Sequence, residues 1–153
     1  MNRVRLSVII PHYNSLDFLY KLIESIPRYE EIEILVVDDC STKDVDKVAQ
    51  ITDLRPEQIE LFYNEPGKNS AGRCRNIGLE HARGEWLLFA DADDFFMPDF
   101  YKKIEEYFDS DYDIVYFAPC SLDLKTGQSA SRHEMFANLA KRYLEEADLE
   151  NTL

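Results

Sequence analysis

Three carboxylates stand within four residues where the apolar run Leu87-Leu88-Phe89-Ala90 gives way to Asp91, Asp93 and Asp94. Like charges this close repel one another, and such a cluster is most easily sustained with a cation among them. A divalent metal with oxygen ligands suits it, and an ion held by one or two carboxylates leaves coordination positions for substrate phosphates. The competing reading is a solvated acidic turn ahead of a helix that begins near Pro98. Other groups of chemical interest are Pro11-His12-Tyr13-Asn14, the pair Asp38-Asp39, and Arg73 and Arg75 behind the turn segment GKNSAG.

These groups fall at the ends of strand-like segments. Leu87 to Ala90 reads as a buried strand, apolar on both faces, and open α/β sheets place their ligands at the carboxyl ends of their strands. Leu6 to Pro11 is a β-branched, apolar strand ending at Pro-His-Tyr-Asn. Ile32 to Val37 is a second, closed by Asp38-Asp39, and Ile59 to Tyr63 a third, followed by NEPGKNSAG. Helical segments alternate with them. Ser15 can cap a helix with Leu16, Leu19, Leu22, Ile23 and Ile26 on one face, and Ser41 or Thr42 a short one carrying Val45, Val48 and Ala49. A third helix spans Ala71 to Arg83 with Gly84 placed as its stop, and a fourth runs from Pro98 to about Phe108. Ile114 to Ala118 reads as a fifth strand, Lys125-Thr126-Gly127 as a turn, and Glu134 to Ala147 as a last amphipathic helix. The alternation predicts a doubly wound α/β sheet, mostly parallel. Its carboxyl rim would gather residues far apart in sequence.

Composition narrows the classes. The chain has 153 residues, enough for one domain with a real core, and its apolar (45%) and charged (31%) shares are globular. A net charge of −13 argues against nucleic acid and anionic membrane as partners, though not against a nucleotide whose phosphates arrive with a metal. No run approaches the ~18 apolar residues of a membrane span, and the start turns polar too soon for a signal peptide. Cys40, Cys74 and Cys120 are odd in number and in no metal spacing, which fits a reducing, cytoplasmic compartment.

SVIIPHYN, ILVVDDCSTKD and GKNSAGRCRNIGLEHARGEWLLFADADD, in that order and spacing, resemble the nucleotide-sugar-binding half of family 2 glycosyltransferases with the three-layer, Rossmann-like GT-A fold. The resemblance covers roughly residues 4 to 120. It implies a nucleotide-sugar donor, usually UDP-linked, transfer with inversion, and Mn²⁺ or Mg²⁺ as cofactor. Tyr13 then resembles the residue that stacks on the base, Pro11 lines the base pocket through its backbone, and Asn14 completes that strand end. Asp39 resembles the carboxylate that accepts the uracil imide N–H, with Asp38 holding the loop. Arg73 and Arg75, early in their helix, suit donor phosphate or base, and which one faces the pocket is open. Cys74 stands where the family pattern has alanine and reads as packing. Asp91 and Asp93 form the Asp-x-Asp element; Asp93 resembles the acid nearest the ribose and metal, and the resemblance allows Asp94 to share the coordination. His12 occupies a variable slot of the motif and His81 lies mid-helix.

Residues 1–120 are thus expected to form the donor core, and 121–153 a helical extension at the start of the acceptor half. Inverting transfer needs a general base. In the family that carboxylate lies later, beyond Leu153, and Asp123, Glu134 and Glu145 sit in no recognisable base motif. The expectation is a donor-binding piece of a longer enzyme acting on a polysaccharide or glycolipid at the cytoplasmic face of a membrane. Apolar surface on its acceptor side would invite self-association. A non-catalytic assembly module is an alternative. A phosphoacceptor signalling domain is a remote one, since its acidic pair should follow the first strand and Asp38-Asp39 follow the second.

Overall fold

The computed structural model describes residues 3–117, 121–123, 126–130, 138 and 142. The chain divides into two compact units, residues 1–110 and 111–153. In the first, four strands run parallel in the order β3-β2-β1-β4: β1 (Leu6–His12), β2 (Ile32–Asp38), β3 (Ile59–Tyr63) and β4 (Trp86–Phe89). The chain lays β2 and β3 on one side of β1 and then returns to place β4 on the other. A switch point therefore lies between β1 and β4, where such sheets open a crevice.

Three layers follow from the two-residue period of β1 and β2. Leu6, Val8 and Ile10 of β1 join Ile32, Ile34 and Val36 of β2 on one face. They bury Leu16, Leu19, Leu22 and Ile23 of α1 (Leu16–Ser25) and Tyr101 of α4 (Phe100–Glu105). On the other face Ile9 packs against α3 (Ala71–His81) so closely that a Cβ on Gly78 would collide with the Ile9 side chain. The short α2 (Val45–Ala49) and a 3₁₀ turn at Ile51–Leu54 add Val48 and Ile51 to the first face.

Several ends differ from expectation. β1 runs one residue past Pro11. Helix α2 starts at Val45 behind Asp44, which has a left-handed φ of 51° and makes no side-chain cap bond, rather than from Ser41 or Thr42. Both of those are already engaged, Ser41 by Asp38 and Thr42 by Asn14. Ser15 occupies the cap position of α1 without a side-chain cap bond. Helix α4 begins at Phe100, two residues beyond Pro98.

Helix α3 stops at His81, and Ala82 turns the chain extended, so Gly84 is not its stop. Gly84 is instead pressed onto β1, where a Cβ would lie 2.5 Å from the Ser7 amide nitrogen. Its N–H donates to Ser7 Oγ (2.8 Å), which donates on to buried Glu33 (2.6 Å), and Glu33 also accepts the Arg83 amide (2.6 Å). That network delivers the chain into β4.

In the second unit, β5 (Ser121–Leu122) and β6 (Ser129–Ala130) form an antiparallel ribbon around a turn in which Gly127 has a φ of 69°. Ile114 to Phe117 carry no strand pairing, and Ala118 lies outside the described residues. Ile114 is 84% exposed, and with no strand ladder to join among the described residues this β-prone run is irregular. Of the expected helix over 134–147, Asn138 and Arg142 are described, both helical.

Candidate functional site

Pro11 shapes the crevice. Alternate residues of a central parallel strand bond to alternate neighbours: the Ile9 carbonyl accepts the Ala90 N–H (3.1 Å) toward β4, and the His12 carbonyl accepts the Asp39 N–H (2.8 Å) toward β2. Pro11 therefore faces β4 and has no N–H to offer. The β1–β4 register runs only from Leu6–Trp86 to Ile9–Phe89, and beyond it the two chains part. Tyr13 follows at the mouth and is 54% exposed.

Beneath it is a knot of buried polar groups. His12, opposite Asp38 in the register, meets its Oδ2 through Nδ1 at 2.8 Å, while its Nε2 lies 3.2 Å from the Ser15 amide. An amide can only donate, so Nε2 accepts and Nδ1–H donates to Asp38. Asp38 also accepts from the Ser41 amide (2.9 Å) and hydroxyl (2.6 Å). Burial is the largest influence on its carboxyl and pushes the pKa up, but the His12 and Ser41 bonds together outweigh it and leave it below the ordinary value. Asn14, at a left-handed φ of 51°, takes the Thr42 and Lys43 amides on Oδ1 (2.8 and 2.9 Å). Asp38, His12 and Asn14 thus lock the loops after β1 and β2 together.

Asp39 points the other way, toward β3. Its Oδ1 accepts from Asn64 Nδ2 at 2.6 Å, and its carbonyl accepts from Asn69 (2.6 Å). Asn64, buried at the end of β3, also donates to the Lys68 carbonyl (2.9 Å) and accepts from the Glu65 amide (2.8 Å) and Arg73 Nε (2.9 Å). Every hydrogen-bonding position of that amide is filled. Arg73 is further paired with Glu65 (3.0 Å). Cys74 is buried behind Asp39; burial first, then the charge and hydrogen bond of Asp39, push its thiol up to about 12, which marks it as packing rather than nucleophile.

Arg75, two residues on, reaches the acidic turn and pairs with Asp91. The two arginines therefore serve different sub-regions, Arg73 the Asp39 side and Arg75 the Asp91 side. In the turn, the Asp94 amide donates to the Asp91 carbonyl (2.9 Å) and the Asp91 amide to Asp94 Oδ2 (3.2 Å). Asp93 is exposed and carries no hydrogen bond or ion pair among the described residues. Among those residues no group of three or more His, Cys, Asp or Glu side chains is gathered tightly enough to hold a metal by itself. The oxygen donors of this turn fit a hard cation that brings its other ligands with it, not an all-protein cage.

Two site residues escape a reading by motif. His12 falls in a variable slot and proves to be the buried bridge between β1, β2 and α1. Asn64 lies in a segment read as turn, yet the strand-end logic that singles out Asp38-Asp39 applies equally to the residue after β3. His81 lies at the end of α3, its ring 4.1 Å from that of Phe62, away from the rim.

The model of the family described as "Glycosyl transferase family 2" matches residues 7–152. The chain belongs to glycosyl transferase family 2. Among curated relatives in the family, the poly(ribitol-phosphate) β-N-acetylglucosaminyltransferase TarS of Staphylococcus aureus is 37% identical over 98 residues, 60% of this chain and 17% of that protein. A GalNAc(5)-diNAcBac-PP-undecaprenol β-1,3-glucosyltransferase of Campylobacter jejuni is 37% identical over 92 residues, 59% of this chain and 30% of that protein. The chain thus spans well under half the length of these relatives.

Residues 1–349 of Staphylococcus aureus TarS in complex with UDP-GlcNAc match with a TM-score of 0.60 and 31% identity, over 69% of this chain and 31% of that one. A mannosyltransferase of Pyrobaculum calidifontis in complex with GDP-Man and Mn²⁺ matches with a TM-score of 0.55 and 28% identity, over 65% of this chain and 30% of that one. The fold is that of these GT-A glycosyltransferases. No helix among the described residues is long and apolar enough to cross a membrane.

Proposed function

We propose that this chain carries the donor-binding half of an inverting glycosyltransferase that takes a UDP-linked sugar with a divalent metal and serves a saccharide or glycolipid acceptor. The observation that carries the reading is the division of the rim into two sub-sites. Tyr13, Asp39 and Asn64 stand at the ends of β1, β2 and β3, with Arg73 of α3 bonded to Asn64; Asp91 to Asp94 follow β4 beyond the crevice opened at Pro11, with Arg75 of α3 paired to Asp91.

The first sub-site suits a base. An exposed tyrosine ring offers a stacking face. Asp39 is held rigid by Asn64 and retains acceptor capacity for an imide N–H, which uracil has and cytosine lacks. The second suits a diphosphate. Asp93 and Asp94, with Asp91, would hold Mn²⁺ or Mg²⁺, and Arg75 keeps Asp91 from adding its full charge to the cluster. The ion, when bound, supplies Lewis-acid stabilisation to the departing nucleoside diphosphate. In this reading residues 1–120 are the donor core and 121–153 begin the acceptor half, on the cytoplasmic side of a membrane. The similarity to TarS in complex with UDP-GlcNAc supports the choice of UDP over other nucleotides.

The test is Mn²⁺-dependent UDP binding by Asp93→Asn beside the unaltered chain. Loss of one charged metal ligand should weaken it by about tenfold or more. Because Asp93 is exposed and unbonded, the thermal transition should not move. Equal affinity in the two proteins would contradict the metal role.

A further inference from the structure

Asn64, the residue after β3, is 4% exposed and bonded through every polar group it has. Its N–H donates to the Asp38 carbonyl (2.8 Å), which carries the β2–β3 ladder one step past Tyr63. Its carbonyl accepts from the Cys40 thiol (3.3 Å). Its side-chain amide reaches three segments at once: Asp39 behind β2, Glu65 and Lys68 in the loop that follows β3, and Arg73 in the first turn of α3.

The direction of that amide is forced. The Glu65 amide and Arg73 Nε can only donate, so the Asn64 oxygen must face them. Its nitrogen is left facing Asp39 Oδ1 (2.6 Å) and the Lys68 carbonyl (2.9 Å), both acceptors. Turned over, the amide would set donors against donors and an oxygen against a carboxylate, and burial makes such a mismatch costly. The amide nitrogen therefore keeps Asp39 in the role of acceptor. A carboxylate has about four acceptor positions, so capacity is left after Asn64 and the Cys74 thiol have bonded. Asp39 Oδ2 is not among the polar atoms sealed from solvent without a partner.

We propose that Asn64 is the positioning residue for the choice of base. The amide that Arg73 orients holds Asp39 as an acceptor, so the sub-site takes a pyrimidine with an N–H at ring position 3, as uracil has. Cytosine carries a lone pair there, which meets the same carboxylate with repulsion. The proposal rests on the donor reading above and adds a residue that acts through Asp39 rather than by touching the base.

The experiment compares dissociation constants of CDP and UDP, with Mg²⁺, for the unaltered chain and for Asn64→Asp. The two nucleotides share ribose, diphosphate and metal, so the ratio isolates the base. Asn64→Asp keeps the shape but sets an oxygen against Asp39 Oδ1, and at about pH 8 the two carboxylates repel. The preference for UDP should fall about tenfold, the value of a hydrogen bond to a charged group. An unchanged ratio, or UDP and CDP weakened alike, would make Asn64 a structural tie and overturn the proposal while the donor reading stands. No preference for UDP in the unaltered chain would sink the donor reading and the proposal with it. If Asn64→Asp does not fold, the unaltered chain decides through the Asn64 Nδ2–H signals, followed by NMR. These should shift with UDP bound and not with CDP bound; no shift with UDP, or equal shifts with both, would overturn the assignment.

Discussion

Adjacent residues of the same type do different work here. Asp38 is 3% exposed and accepts from a histidine ring, a backbone amide and a hydroxyl, so its value is structural. Asp38→Ala strands those donors and should cost about 2–4 kcal/mol, measured by urea unfolding. Its pKa lies below its unfolded-state value. The stabilisation is therefore complete above the unfolded pKa and is lost as pH falls through the folded one. Unfolding free energy should drop below about pH 4, and that part of the drop should vanish in Asp38→Ala. Asp39→Ala should instead reduce the preference for uridine over cytidine nucleotides. An equal loss for both would count against base reading. Cys74, its thiol pushed up to about 12, should resist alkylation at pH 8 in the folded chain and react once unfolded. The identities of these groups were legible as motif letters. The partner of each was not, because adjacent residues point to opposite sides of a strand end and only the register decides which neighbour they meet.

At the scale of elements, hydrophobic periodicity locates every strand of the sheet and all four helices of the first unit. What it misses are their ends and the burial of β4, which reads as a buried strand apolar on both faces, whereas Leu87 and Phe89 on one face are exposed. Tertiary bonds overrode local capping at Ser41 and Thr42, and Gly84, placed by pattern as a helix stop, is required by its contact with Ser7. The two glycines rank accordingly. In Gly78→Ala the new methyl meets Cγ2 of the fully buried Ile9, a side-chain atom, and about 1–3 kcal/mol is expected. In Gly84→Ala it meets the backbone of Ser7, so the loss measured by the same unfolding experiment should be the larger. Ile114 to Phe117 show the other limit, since strand-forming residues become a strand only where a partner edge is supplied.

For the molecule as a whole, the decisive feature is topological. A four-stranded parallel sheet with a switch beside β1 brings residues 11–14, 38–39, 64, 73–75 and 91–94 to one rim. The net charge of −13 makes an anionic ligand there improbable without arginine and a metal, and the rim provides Arg73, Arg75 and unpaired Asp93. Convergence of strand ends was readable from their order along the chain. The line from Asp39 through Asn64 to Arg73 needed the fold. The most direct test of the donor site is calorimetric titration of UDP into the chain with Mn²⁺ and then with EDTA, beside GDP and CDP. Metal-dependent binding of UDP that neither GDP nor CDP matches is the predicted result. Binding that ignores the metal, or equal heats for all three nucleotides, would contradict it.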